Sequence, residues 1–135
     1  MPRPRLALPA LAGATLAAAL GSSIATVSIP AVVSDFDVAL GQAQWVTLSF
    51  LLVGTVLVLP AGPLGDLVGR RRLLLWGLAS YLAGSLLAVV APSLAMLVLA
   101  RSLQGAGASA MAAMSLALVR DSVPAASIGR AMGIL

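Results

Sequence analysis

Gly62–Leu74 reads GPLGDLVGRRRLL, and this stretch decides how the rest of the chain is arranged. It holds one of the four acidic residues and three of the eight basic ones, with long apolar runs on both sides. Gly62 and Gly69 allow a sharp turn without a Cβ clash. Asp66 lies between them, and Arg70, Arg71 and Arg72 follow. The stretch predicts a compact polar hinge over 62–72 joining two hydrophobic rods. Asp66 is placed to cap a helix N-terminus, or to pair with Arg70 four residues on if the stretch is helical. A loop with orienting arginines explains the basic run but not the Gly–Asp–Gly spacing.

Composition sets the class. The 135 residues are 61% hydrophobic and 9% charged, against about 25% charged in a soluble domain. So few charges cannot keep a surface in water, so the chain reads as an integral membrane protein with the lipid bilayer as its surroundings. It has no Lys, Glu, His or Cys. That excludes disulfides and thiolate chemistry and removes the usual zinc ligands. No metal or cofactor is expected. The net charge of +4 comes from arginines at the ends of apolar runs, where they orient helices in a membrane. No nucleic-acid partner is expected.

Working outward from the hinge, four spans are predicted. Residues 6–33 run without a charge. At ~1.5 Å per residue they exceed the ~30 Å hydrocarbon core, so they can cross with a tilt or a bend. A secretory signal peptide is the rival reading, but this run is longer than a typical h-region of about 7–15 residues. Residues 34–41 form a short loop with Asp35 and Asp37. The second span is expected over 42–61, with Trp45 near its start at interfacial depth. The third is expected over 73–91, ending in a tight Pro92–Ser93 turn, and the fourth over 94–119, with Arg101 inside it. A fifth begins at about residue 130.

Arg3 and Arg5, then Arg70–Arg72, then Arg120 and Arg130 fall on alternate sides of successive spans. The loops between hold Asp35 and Asp37 or no charge. The positive-inside rule therefore puts the N-terminus, the hinge and the last loop in the cytoplasm.

Small residues recur at four-residue spacing: Gly13, Ala17 and Gly21; Ser80 and Gly84; Gly105 and Ser109. Such strips let helix backbones approach closely, either as ordinary bundle packing or as an interface that slides. Arg101 lies roughly 12 Å into the fourth span. A mid-membrane Arg costs about 2.5–3.5 kcal/mol on insertion scales. It either snorkels to the outer headgroups or faces a cavity or partner. Arg101, Gln104, Gly105 and Ala108 follow an i, i+3, i+4, i+7 pattern and share one helix face.

Gly62–Leu74 resembles the loop signature of the major facilitator superfamily, G-x-L-a-D-r-x-G-r-k-x-x-l, which joins the second and third helices on the cytoplasmic side. Leu67 stands where that family usually has Arg. The segment 101–109, RSLQGAGAS, resembles the family's fourth-helix signature, R-x-x-q-G-x-g-a-a. The stretch 20–30, LGSSIATVSIP, is similar to the first-helix signature of fourteen-helix drug:proton antiporters. There Gly21 replaces that group's Asp and Thr26 its Asn. Gln44-Trp45 and residues 129–133 also resemble that group.

The resemblance implies an all-α membrane fold. Four helices and the start of a fifth would be part of the six-helix N-terminal half of a plasma-membrane transporter, N-terminus cytoplasmic. It implies proton-driven efflux of drug-like or lipophilic small molecules. Gly62, Asp66, Gly69, Arg70 and Arg71 would form the gating loop, and Arg101, Gln104 and Gly105 would serve substrate binding or proton coupling. Protons, a small-molecule substrate and the missing transmembrane helices of the same transporter are then the expected partners. The chain is expected to be incomplete. The alternative is a small membrane scaffold or assembly subunit without transport of its own. An enzyme is not expected, since no nucleophile–base pair or metal set is present.

Overall fold

The computed structural model describes Gly13, Leu16, Leu20, Ser23 and residues 27–122. Most of the first span expected over 6–33 lies outside these, as do Arg3, Arg5, Arg130 and the fifth span. Among the described residues the fold is helical: α1 (Ile29–Phe36), α2 (Leu40–Ala43), α3 (Trp45–Val68), α4 (Arg70–Val89) and α5 (Leu94–Ser122).

The all-α membrane character holds. Leu40–Val68, Arg70–Val89 and Leu94–Ser115 are each long and apolar enough to cross a membrane. Their outward faces carry large exposed apolar side chains, including Leu59, Trp76, Leu86 and Val89. A soluble protein does not present such a continuous surface, and hydrocarbon accommodates it without cost.

The 62–72 hinge contracts to a single residue. α3 continues through Pro60, Gly62 and Pro63 and ends only at Val68. Each proline removes one intrahelical donor, and the surrounding ladder keeps its helical form. Gly69 makes the turn alone. Its φ of 98° belongs to the region that only glycine enters freely, and its N–H closes the last turn of α3 on Gly65 O at 3.0 Å. Gly62 is an ordinary helical position with open space beside it, so it takes no part in the turn. α4 then starts at Arg70 rather than at residue 73.

The 34–41 loop also shrinks. α1 runs to Phe36, and Asp37 ends it in the left-handed region with φ 48°, a conformation that Asp tolerates better than most side chains. α2 resumes at Leu40, with Gln42 Oε1 accepting the Ala39 N–H at 3.1 Å. Val32, Ala43 and Val46 form a small apolar core here, against which Leu94, Leu97 and Val98 of α5 pack. At the α4–α5 turn, Ser93 accepts the Met96 N–H at 3.3 Å.

α5 is the central helix. It packs along both α3 and α4, whereas those two make little contact with each other. It therefore carries most of the buried polar residues among those described, Arg101, Gln104, Ser109 and Ser115, with Ser49 on α3.

Candidate functional site

Two of the glycines position the site. A Cβ on Gly105 would collide with the carbonyl oxygen of Phe50, and a Cβ on Gly84 would lie 2.7 Å from Ala100 O and 2.8 Å from Gln104 Cγ. Their bare backbones let α3 and α4 close on α5 from two sides. Because Phe50 rests its backbone on Gly105, its ring reaches back one turn to Arg101. Because Gly84 rests on Ala100 and Gln104, the next residue, Ser85, meets the Gln104 amide.

Arg101 is only 6% exposed, so it does not snorkel in this arrangement. Its Cζ lies 4.6 Å from the Phe50 ring centroid, a cation–π contact worth about 2 kcal/mol when desolvated. Nε donates to Val46 O of α3 at 3.4 Å, and Nη1 donates to Gln104 Oε1 at 2.6 Å. Gln104 Nε2 in turn donates to Ser85 Oγ of α4 at 2.9 Å. Nη2 is buried and has no hydrogen-bond partner among the described residues. Among the described residues the guanidinium thus meets neutral acceptors and an aromatic face, and it joins α3, α5 and, through Gln104, α4.

Arg101, Gln104 and Gly105 therefore come together as the spacing predicted. The shared face divides, however: Gly105 turns to α3 while Gln104 bridges to α4. Beyond Phe50, a shallow groove of about 330 Å³ runs between α3 and α5, lined in part by Gly54, Thr55, Val58, Ala108 and Ser109.

At the other end of α3, Arg70 clasps the turn. Its Nε and Nη2 donate to Asp66 Oδ1 at 3.2 and 3.1 Å, and its Nη1 reaches Ala117 O of α5 at 3.3 Å. The pairing alternative for Asp66 is the one realised. The capping alternative is not, because α4 starts after Gly69 with no side-chain cap. The Asp66 side chain is 67% exposed, so the pair contributes only about 0.3–0.5 kcal/mol. Its effect is geometric, since one side chain bridges the α3–α4 turn and the C-terminal part of α5. Arg71 is exposed and lines a crevice of about 530 Å³ with Val68, Gly69, Arg72 and Leu75.

Sequence reasoning missed Phe50, Val46 and Ser85. Nothing in the local pattern of Phe50 or Val46 marks them. Ser85 carries a faint signal, lying beside Gly84 of the small-residue strip.

A family model described as Major Facilitator Superfamily matches residues 11–135. An uncharacterized MFS-type transporter of Mycobacterium tuberculosis is 38% identical over 98% of this chain and 19% of its own length. A riboflavin transporter of Clostridioides difficile is 36% identical over 85% of this chain and 25% of its own. A multidrug resistance protein of M. tuberculosis is 40% identical over 85% and 22%. The chain thus spans between about a fifth and a quarter of the length of these relatives.

Proposed function

The chain belongs to the major facilitator superfamily, and from that premise we propose that it works as the leading part of a transporter that exports drug-like or lipophilic small molecules against a proton gradient. The plasma membrane, with the N-terminus in the cytoplasm, is the proposed location. The missing helices of the same transporter complete the enclosure around the substrate, because alternating access needs two repeats facing each other across a midplane site.

The observation that carries this reading is Arg101. A guanidinium caged within the bundle by Val46 O, Gln104 and Phe50 is costly in hydrocarbon and suits a transport path better than a lipid-facing role. The multidrug resistance protein among the relatives supports export of drug-like compounds, and the riboflavin transporter keeps a narrower substrate in view. Gly69, Arg70 and Asp66, with Arg71 beside them and Gly62 one turn earlier on α3, act as the cytoplasmic gate. When the transporter rocks, α3, α4 and the inner end of α5 shift relative to one another, and the Arg70 clasp to Asp66 and Ala117 O is remade.

Ethidium movement into everted membrane vesicles under an imposed pH gradient tests this. Wild-type vesicles accumulate the dye and Asp66→Asn vesicles, with normal insertion, do not. Wild-type rates in Asp66→Asn refute the gate. No gradient-driven movement of any lipophilic probe by the wild type refutes the efflux reading and favours the scaffold.

A further inference from the structure

Gln104 sits between Arg101 and Ser85, and its amide can point either way with almost no change of shape. One orientation offers oxygen to Arg101. The other sets two donors against each other. Arg101, which has donors only, disfavours that second orientation from one end, and Ser85 does so from the other. Its hydroxyl has a single hydrogen, which goes to Tyr81 O, one turn back on α4, at 2.9 Å. Only a lone pair of Oγ is then left for α5, and it accepts Gln104 Nε2–H at 2.9 Å. With the amino end engaged, Oε1 is delivered to Arg101 Nη1 at 2.6 Å. In the reversed orientation Oε1 would face an oxygen whose hydrogen is already used, and the amino group would face a cation. Both losses fall in a buried setting where unpaired polar groups are costly.

We propose that Ser85 is a positioning residue for Arg101: its Tyr81-directed hydroxyl sets the Gln104 amide, which holds the guanidinium by Nη1. The bearing of this on transport rests on the reading of Arg101 above, whereas the positioning does not. Ser85 touches neither Arg101 nor a substrate group; it acts through Gln104.

The test labels the intact protein, as its host makes it, with guanidino-¹⁵N arginine in lipid bilayers. The Arg101 resonance is identified by its loss in Arg101→Lys. Ser85→Ala shifts or broadens it by more than a linewidth, and Ser85→Thr, which supplies the same donor and acceptor, restores it. In a Gln104→Glu background the side chain presents oxygen at either end, so orientation no longer matters and Ser85→Ala leaves the resonance where Gln104→Glu put it. An unmoved resonance in Ser85→Ala alone overturns the proposal. Equal displacement in both backgrounds does so too, because it marks a packing role. Ethidium accumulation is read from the same membranes. A resonance pattern as described with no transport in the wild type sinks the efflux reading and leaves the positioning role standing.

Discussion

Adding one methyl group at Gly105 or at Gly62 should have opposite consequences. At Gly105 the new Cβ overlaps the Phe50 carbonyl oxygen and lies 3.2 Å from Phe50 C and Cα. Carbon and carbonyl oxygen ordinarily meet at ~3.3–3.6 Å, so α3 must retreat by about 1 Å. Both partners at the contact are backbone, so no side chain can rotate away. Overpacking of this kind costs about 1–3 kcal/mol. The retreat also carries the Phe50 ring off Arg101 and stretches the Nε bond to Val46 O from 3.4 Å. At Gly62 a Cβ meets nothing within 4 Å. There Gly→Ala exchanges a poor helix former for the best one and should be neutral or stabilising by about 0.5–1 kcal/mol. Reversible unfolding in lipid bicelles gives both values. Gly105→Ala should fall below wild type by about 1–3 kcal/mol while Gly62→Ala does not fall. Equal small effects at the two sites would refute the close α3–α5 approach.

Gly69→Ala should cost about 1–3 kcal/mol despite open space around the residue, because its φ of 98° strains any L side chain; unfolding in the same bicelles checks it. Phe50→Leu keeps apolar bulk and removes the ring face, so it should lose about 0.5–2 kcal/mol in the protein with Arg101 intact and much less beside Arg101→Met, a coupling that a double-mutant cycle reads directly. Asp66→Asn should change stability by no more than about 0.5 kcal/mol, and raising the salt should reduce even that difference, so any large transport defect in this variant reflects motion rather than folding.

The fold was largely legible because the bilayer enforces it. Charge-free runs near 20 residues have few other solutions, and the arginines mark their ends. What misled was the stretch 60–69. Two prolines and three glycines within ten residues read as a hinge. Each proline removes only its own donor, so α3 continues to Val68 and leaves the turn to Gly69. The candidate site was legible along one helix and illegible across helices. Arg101, Gln104 and Gly105 share a turn of α5, and their spacing announces it. Phe50 and Ser85 lie 51 and 16 residues from Arg101 along the chain. Only the pairing of Gly105 with the Phe50 backbone, and of Gly84 with Ala100 and Gln104, brings them in. Gly77 gave no signal for the same reason, and Gly107 showed only as one position of the 101–109 stretch. Each lies against the backbone of the partner helix, a match visible only once α4 and α5 are in register.

Proton coupling in Arg101→Ala tests the central claim most directly. Everted vesicles carrying the wild-type protein or Arg101→Ala are given the same pH gradient, and ethidium uptake and the accompanying proton leak are followed together. The account predicts that the wild type couples dye uptake to proton release and that Arg101→Ala, inserted at the same level, loses both. Uptake at the wild-type rate with unchanged proton release in Arg101→Ala would contradict it.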